Sequence, residues 1–203
     1  GRAIHSAPRA SQRGAGPWHG DAGPLRVSDI GDKDALIEAF IGGAAHLGVP
    51  RTEDFNGAQQ EGAGYYQLTT HRGWRWSTAK GYLGPARGRP NLEVQTEAQA
   101  TGLVMSGGRA VGVRYRQGGV EKTALCSAEV LLSAGAIQSP QLLQLSGIGP
   151  AALLQARGVA VQQALPGVGE NLQDHLQTRL IFESTRPTTN DALRSWRGQA
   201  RLG

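Results

Sequence analysis

Apolar residues recur at helical spacing in the first quarter of the chain. The pattern predicts a helix from Lys33 to about Leu47, capped by Asp32 and ended by Gly48 and Pro50. Its apolar positions form one stripe, made of Leu36, Ile37, Phe40, Ile41, Ala44 and Leu47. A stripe of this kind is typical of a helix that packs on a core, and we interpret it in that way.

The apolar period changes to two residues after Asn91. A short strand is predicted at residues 92–94. Three longer strands are predicted next, at residues 100–105, 110–116 and 120–126. The connections Ser106-Gly107-Gly108-Arg109 and Gln117-Gly118-Gly119 are hairpin signals. The strands are therefore expected to form an antiparallel meander with one face in water.

The next stretch predicts a buried strand, a tight turn and a helix. Residues 130–132 are an unbroken apolar run, which is typical of a strand covered on both faces. Ser139 is expected to be the N-cap of the helix and Pro140 its first residue, because the N–H that proline lacks needs no partner there. Gly147 is expected to follow the last turn of the helix.

Small residues lie where this predicted strand ends. Ser133, Ala134 and Gly135 would let a ligand or another strand approach the backbone closely. Open α/β sheets bind ligands at this end of their strands, so the turn is a candidate contact with a cofactor. A tight turn with a purely structural role is the alternative.

Several shorter elements are predicted from local signals. These are strands at residues 25–27, 65–70 and 159–162 and a helix at residues 151–157. Ser77 is expected to cap another helix, and Gly158 and Gly167 are expected to adopt positive φ. Residues 182–203 have few apolar side chains and are expected to be poorly ordered unless a partner covers them.

Charge and composition exclude several classes of function. The net charge is +5, and its excess of arginine is scattered along the chain. A nucleic-acid interface would need clustered basic residues with aromatic residues between them, so no nucleic-acid partner is predicted. Cys126 is the single cysteine, which leaves no intrachain disulfide and no cysteine-rich metal site. The histidines show no metal-ligand spacing, so no metal is predicted.

The length of the chain limits the size of its core, and its apolar runs indicate whether it could cross a membrane. The chain of 203 residues is long enough for one core of ordinary size. It begins with Gly1 and its single methionine is Met105, so we interpret it as a fragment or a processed chain. No signal peptide is recognised, and no apolar run is long enough to cross a bilayer. A cytoplasmic location is expected, and association with a membrane surface stays open.

One short motif, Gly147-Ile-Gly149-Pro-Ala-Ala152, matches a dinucleotide-binding pattern. The pattern normally follows a strand, whereas here it follows a predicted helix. Pro150 also removes one of the N–H groups that a phosphate would need. We therefore interpret the match as a false positive, and the chain is not expected to encode a pyrophosphate site.

Two longer motifs carry a family resemblance. Residues 135–149, Gly-Ala-Ile-Gln-Ser-Pro-Gln-Leu-Leu-Gln-Leu-Ser-Gly-Ile-Gly, resemble the second signature of the glucose–methanol–choline (GMC) oxidoreductases. Residues 165–176, Leu-Pro-Gly-Val-Gly-Glu-Asn-Leu-Gln-Asp-His-Leu, resemble a later motif of the same family. The resemblance spans roughly residues 18–180 and is nearest to the choline-dehydrogenase-like branch.

The resemblance implies a fold and a reaction. The fold would be α/β (α+β), with part of an FAD/NAD(P)-binding-type domain that contains an antiparallel β-meander, and part of a substrate domain. Residues 1–90 would belong to the FAD and substrate region, 91–180 to the FAD-binding domain, and 181–203 to an incomplete substrate domain or a disordered tail. The reaction would be FAD-dependent oxidation of a small-molecule alcohol to an aldehyde, with hydride transfer to the flavin N5.

The resemblance also implies candidate sites. Ala100 would meet the adenine end of FAD through its backbone, and Ser133, Ala134 and Gly135 would pack beside the ADP half. Gln177 aligns with a position that faces the substrate in some relatives, and its neutral side chain weakens the case for choline. The family's catalytic histidine and dinucleotide fingerprint would lie in missing N- and C-terminal parts of the same polypeptide. No catalytic residue is therefore assigned, and the isolated chain is expected to be inactive.

Two local features keep more than one interpretation. His175 follows Asp174, which could suggest acid–base chemistry, but we interpret His175 as structural because adjacent residues rarely face the same point. Trp74 and Trp76 fit a substrate pocket, buried packing or an edge contact.

Two other functions also stay open. One is a different flavoprotein class with a similar meander, such as a hydroxylase or a reductase. A reductase would carry a redox cysteine pair, which a single cysteine cannot form. The other is a non-catalytic truncated remnant that binds partners.

Overall fold

A computed structural model describes residues 9–194 and Trp196. The chain divides into two compact units, a first unit within Gly1–Glu93 and Ile181–Gly203, and a second unit, Val94–Leu180. In chain order the elements are β1 Arg9–Ser11, β2 Leu25–Val27, α1 Ala35–His46, β3 Thr70–His71, β4 Trp74–Arg75, a π-helix Ala79–Leu83, α2 Gly84–Ala86, β5 Gln99–Ser106, β6 Arg109–Gln117, β7 Val120–Leu125, α3 Gly135–Leu145, β8 Ile148–Gly149, α4 Ala151–Ala156, β9 Gln163–Ala164 and α5 Thr189–Leu193. No helix among these described residues is long and apolar enough to cross a membrane.

The first unit confirms the predicted strand at residues 25–27 and places it parallel to β1. Helix α1 begins two residues later than predicted, because Asp34 rather than Asp32 is its N-cap. The Asp34 carboxylate accepts hydrogen bonds from the N–H groups of Leu36 at 2.8 Å and Ile37 at 3.3 Å. Asp32 and Asp34 both carry a carboxylate that can accept hydrogen bonds from the first N–H groups of a helix. The residue type therefore does not show which of the two caps α1, and the backbone conformation decides it.

The apolar stripe of α1 is only partly a core. Ile41 is 3% exposed, whereas Phe40 is 57% exposed and Leu47 is 86% exposed. The interpretation of the whole stripe as core packing is therefore wrong for this chain. Helical spacing shows which residues share a face, but a face becomes buried only where another element covers it.

A tight hairpin forms where the sequence predicted a longer strand at residues 65–70. Only Thr70–His71 is strand there, and it pairs antiparallel with β4. The connecting residues Arg72 and Gly73 have φ of 52° and 77°, as a two-residue turn of this hand requires. Ser77 directly precedes the helical residues that begin at Thr78, and its hydroxyl accepts a hydrogen bond from the N–H of Lys80 at 3.4 Å, which confirms its predicted role as a helix cap.

The second unit contains the predicted meander. Strands β5, β6 and β7 pair in sequence order, each antiparallel to the next. Both connections are glycine pairs with positive φ, with 58° and 78° at Gly107 and Gly108 and 58° and 79° at Gly118 and Gly119. These turns match the twist of the strands that they join, so they fix the register locally. Residues 92–94, in contrast, form no strand.

The buried strand predicted at residues 130–132 is also absent, although the structure describes all three residues. Leu131 is 79% exposed. An apolar run becomes a strand only when neighbouring strands supply partners for its N–H and C=O groups. The meander ends at Leu125, and the described residues place no strand beside this run.

Helix α3 begins at Gly135, earlier than the predicted start at Ser139 and Pro140. Ser139 lies inside the helix, where its hydroxyl accepts a hydrogen bond from the N–H of Ala134 at 3.0 Å. Pro140 is also an interior residue and therefore donates no helical hydrogen bond. The other end agrees with the prediction, because Gly147 follows the helix with a φ of 82°.

The rest of the second unit follows the prediction with small shifts. Helix α4 is present and Gly158 has a φ of 69°, as expected. The strand predicted at residues 159–162 is instead β9, which pairs parallel with β8. Gly167 does not have positive φ, whereas Gly169 does, at 86°. Within the tail predicted to be poorly ordered, residues 195 and 197–203 lie outside the described part of the chain.

The core of the second unit lies between the meander and the two helices after it. Its buried apolar side chains are Leu103, Leu142, Ile148 and Leu154. Ser146 is buried among them and connects two elements, since its hydroxyl accepts from the Leu103 N–H at 2.8 Å and donates to the Leu142 carbonyl at 2.6 Å. Helices and an antiparallel sheet thus share one core, which confirms the predicted α/β (α+β) class.

Candidate functional site

Ala100 lies near the start of the edge strand β5, where it pairs with Tyr115 of β6. The register shifts between Ala100 and Gly102, which is the irregularity of a β-bulge. A bulge bends a strand and changes the direction of nearby side chains and backbone groups. Ala100 is exposed on this edge strand.

The turn Ser133–Ala134–Gly135 leads into α3, with Ala134 as the N-cap residue. All three residues are exposed, and Gly135 has a φ of 90°. A Cβ atom placed on Gly135 would meet nothing within 4 Å, so glycine is required there by conformation rather than by crowding. The turn therefore presents an open backbone surface at the beginning of a helix.

Packing of α3 on β5 brings these two candidate positions into one unit. The contact that joins the elements is the Ser146–Leu103 hydrogen bond, which lies at the C-terminal end of the helix. The candidate turn lies at the opposite end, about 15 Å away along a helix of this length. The hydrogen bond thus sets the orientation of α3 on the meander. The candidate turn and the end of α3 that is bonded to β5 lie at opposite ends of the helix.

Gln177 is exposed and lies in residues 171–180, which form no helix or strand. His175 lies in the same segment and is 99% exposed, with its Nδ1 3.6 Å from the carboxylate of Asp174. No burial supports a packing role for His175, and no further partner supports an acid–base role among the described residues. Its predicted structural role stays untested, and no catalytic residue is added.

An open groove runs beside α3, with a volume of about 830 Å³. Ala136, Ile137, Pro140 and Gln144 line it from the helix, and residues 169–173 line it from the other side. The groove begins next to Gly135 and leads toward the segment that carries Gln177. Its first lining residue, Ala136, directly follows the predicted cofactor turn in the chain.

The match to a dinucleotide-binding pattern at residues 147–152 has a different explanation. A Cβ atom on Gly147 would lie 2.4 Å from the carbonyl oxygen of Ala160, and one on Gly149 would lie 3.1 Å from Cγ of Gln144. The glycines are thus needed for close packing of the chain against itself. This supports the interpretation as a false positive, because no open phosphate cradle is formed there.

The first unit contains a larger cavity of about 920 Å³, lined by parts of residues 12–73. None of the predicted site residues lines it. Asp29 lies at its wall. The Nε–H of Arg13 donates to both carboxylate oxygens of Asp29, at 3.0 Å to Oδ1 and 2.9 Å to Oδ2. The hydrogen bond from Arg13 lowers the pKa of the Asp29 carboxyl, so this wall carries an ion pair rather than a neutral acid.

His19 and Asp54 form a pair that the sequence did not indicate. The imidazole Nε2 lies 2.5 Å from the Asp54 carboxylate, and both side chains are mostly buried. Burial raises the pKa of the Asp54 carboxyl, but the hydrogen bonds from His19 and from the N–H of Asn56 outweigh it, and the pKa is lowered. The two residues are 35 positions apart, so no local spacing could have joined them.

The two tryptophans with open interpretations differ in environment. Trp76 is partly buried and donates its indole N–H to the carbonyl of Pro24 at 2.7 Å. Trp74 is 73% exposed, with the Lys80 ammonium 5.9 Å from the centre of its ring. Trp76 therefore has a packing role in the first unit. No group of three metal-ligating side chains occurs among the described residues.

The family model described as GMC oxidoreductase matches residues 5–177 of this chain. The chain belongs to this family. This GMC oxidoreductase chain is 46% identical over 202 residues to an oxygen-dependent choline dehydrogenase of Yersinia pseudotuberculosis, across 96% of this chain and 35% of that protein. It is 48% identical over 176 residues to mitochondrial choline dehydrogenase of Homo sapiens, across 87% of this chain and 30% of that protein. The chain thus spans about a third of the length of these curated relatives.

Solved structures give the same result for the fold. A pyridoxine 4-oxidase from Mesorbium loti aligns with a TM-score of 0.72 and 30% identity, over 80% of this chain and 32% of that one. An FAD-dependent oxidoreductase from Chaetomium thermophilum aligns with a TM-score of 0.69 and 27% identity, over 73% of this chain and 26% of that one. Both the predicted family and the predicted fold class are confirmed.

Proposed function

We propose that this GMC oxidoreductase chain is part of a longer FAD-dependent enzyme that oxidises a small-molecule alcohol to an aldehyde. The observation that carries the proposal is the family match over residues 5–177. The Chaetomium thermophilum neighbour, described as an FAD-dependent oxidoreductase, supports FAD as the cofactor. Family membership also argues against the alternative of a different flavoprotein class.

The residues present are compatible with FAD at the predicted place. The turn Ser133–Ala134–Gly135 is exposed, and the space around Gly135 is open, so a large group can lie against its backbone. Ala100 is exposed on the edge strand of the meander in the same unit. In this proposal these backbone groups hold the cofactor, and FAD supplies the hydride acceptor.

Exposed apolar side chains support the proposal that the chain packs against further polypeptide. Leu131 is 79% exposed and Ile137 is 70% exposed, both beside the candidate turn. Leu176, next to Gln177 in the sequence, is fully exposed. Exposed apolar side chains of this size are typical of surfaces that meet another part of a protein. A buried strand at residues 130–132 would then form only with strands from the rest of the protein.

The alcohol substrate is the less specific part of the proposal. Two relatives are named choline dehydrogenases, which makes choline the first alcohol to test. Gln177, however, carries no charge, so any group that balances a quaternary ammonium would come from elsewhere in the enzyme. Neutral primary alcohols are therefore the second set of substrates to test.

The proposal is tested by comparing this chain alone with the longer polypeptide encoded by its gene. We expect the longer protein to bind FAD, and we expect its flavin absorbance to bleach when a suitable alcohol is added without oxygen. The isolated chain is expected to show no alcohol-dependent reduction of a dye. Dye reduction by the isolated chain would refute the expected inactivity. Failure of the longer protein to bind FAD would favour the non-catalytic remnant.

Location in the cell is a separate part of the proposal. We propose the cytoplasm, a reducing compartment in which the unpaired Cys126 would stay a free thiol. Fractionation of cells that express the longer protein tests this directly. Recovery in another compartment would contradict the proposal. Recovery with the membrane fraction would decide the membrane association that stays open, and release by salt would indicate attachment through charge.

A further inference from the structure

Gln144 forms a side-chain hydrogen bond between α3 and a turn that follows it by more than twenty residues. Its Nε2 donates to the carbonyl of Val168 at 3.0 Å. The side chain is partly buried on the last turn of the helix. This contact lies wholly within the second unit, so it does not depend on any part of the protein outside that unit.

Two glycines leave the space that this side chain occupies. A Cβ atom on Gly169 would lie 2.7 Å from Nε2 of Gln144, and a Cβ atom on Gly149 would lie 3.1 Å from its Cγ. Gly169 also has a φ of 86°, which favours glycine independently. A side chain held on both sides in this way has little rotational freedom, so its amide is aimed at one acceptor.

The turn that Gln144 contacts is short and has its own hydrogen bonds. Val168 donates to the carbonyl of Leu165 at 3.2 Å, and Glu170 donates to that of Gly167 at 3.3 Å. Leu165 donates to the carbonyl of Gly149 at 2.9 Å, which attaches the start of the turn to β8. The end of the turn is attached by Gln144.

The exposed segment 171–180, which carries Gln177, begins directly after this attached turn. The groove beside α3 is bounded by the helix on one side and by residues 169–173 on the other. The Gln144–Val168 hydrogen bond therefore sets the width of the groove at this end. The candidate cofactor turn, Ser133–Ala134–Gly135, lies at the other end of the same helix.

We propose that Gln144 is a positioning residue that holds residues 165–170 at a fixed distance from α3. It thereby determines where the segment with Gln177 begins relative to the cofactor turn. This inference rests on the proposed function and deepens it, because it names a residue that aligns the substrate side with the cofactor side. The residue acts through the turn and does not itself contact substrate.

The test uses the longer protein with Gln144→Glu, which keeps the shape of the side chain but replaces the donor with a second acceptor. Loss of one hydrogen bond of this kind is expected to raise KM for the alcohol about five- to tenfold, while kcat changes by less than about twofold. Amide hydrogen exchange at Leu165, Val168 and Glu170, whose N–H groups are hydrogen-bonded in or next to the turn, is expected to become at least about fivefold faster. Gln155→Glu is the matched control, since Gln155 is exposed on α4.

The outcomes separate this inference from the proposed function. If Gln144→Glu retains the wild-type KM and the wild-type exchange at Leu165, Val168 and Glu170, the inference is wrong. If the wild type oxidises no alcohol, the proposed function fails, and the exchange measurement alone decides the role of Gln144. If Gln144→Glu does not fold, Gln144→Met, which lacks both donor and charge, replaces it. Unchanged exchange in that variant likewise overturns the inference.

Discussion

Replacement of Ser146 by alanine is the sharpest stability test that the structure offers. Ser146 is 8% exposed, and its hydroxyl accepts the hydrogen bond of the Leu103 N–H at 2.8 Å. Leu103 is 6% exposed, so water cannot readily replace this acceptor. Among the described strands, β5 has a neighbour on one side only, so no second strand of the sheet can replace it either. The variant Ser146→Ala would therefore leave one buried N–H group without a partner.

The structure limits how large the effect can be. The hydroxyl of Ser146 also donates to the carbonyl of Leu142 at 2.6 Å, but that carbonyl still accepts the Ser146 N–H at 3.2 Å. Only one polar group is then orphaned, and removing an oxygen atom leaves almost no cavity. A single buried unsatisfied group costs about 1–3 kcal/mol, so Ser146→Ala is expected to lower the free energy of unfolding by about 2 kcal/mol.

Urea unfolding of the chain, followed by circular dichroism, measures this change. With a slope of about 2 kcal/mol per molar urea, the midpoint is expected to fall by about 1 M while the slope stays constant. Residue-resolved hydrogen exchange should show the Leu103 amide exchanging faster. The exposed Ser106→Ala on the same strand is the control and should change stability by less than about 0.5 kcal/mol. A shift no larger than this control, with unchanged exchange at Leu103, would refute the reasoning.

Two further predictions concern the glycines and the contact between His19 and Asp54. Gly147→Ala is expected to destabilise the chain far more than Gly158→Ala in urea unfolding, because both have positive φ but only Gly147 has a carbonyl oxygen 2.4 Å from the added Cβ. Equal effects of the two changes would contradict this. The lowered pKa of Asp54 means that its contribution to stability is complete above the unfolded pKa of about 3.9 and is lost as the pH falls through the folded value. The stability difference between wild type and Asp54→Asn should therefore shrink below about pH 4, and a difference that stays constant down to pH 2 would contradict the assignment.

Some features of this chain follow from the sequence alone because their causes are local. The two glycine-pair turns of the meander need no distant partner, and each of the three predicted strands around them is present with its ends within one residue of the prediction. Gly48, Gly147 and Gly158 follow helices with positive φ for the same reason. Family membership was also recognisable from sequence, since two long motifs in the right order are more specific than any single short pattern.

Other features depend on contacts between distant residues, so only the tertiary structure decided them. Alternation and helical spacing identify a face, but they do not show what covers it, which is why Phe40 and Leu131 are exposed despite their apolar patterns. Ser146 and Gln144 lie inside the recognised motif and connect it to other elements. The donor to Ser146 is 43 positions away in sequence, and the acceptor for Gln144 is 24 positions away. A hydrogen bond between such positions requires both the helix and its partner to be in place. The sequence was therefore enough to recognise the motif. The structural roles of Ser146 and Gln144 within it became visible only when the tertiary structure showed their hydrogen-bond partners.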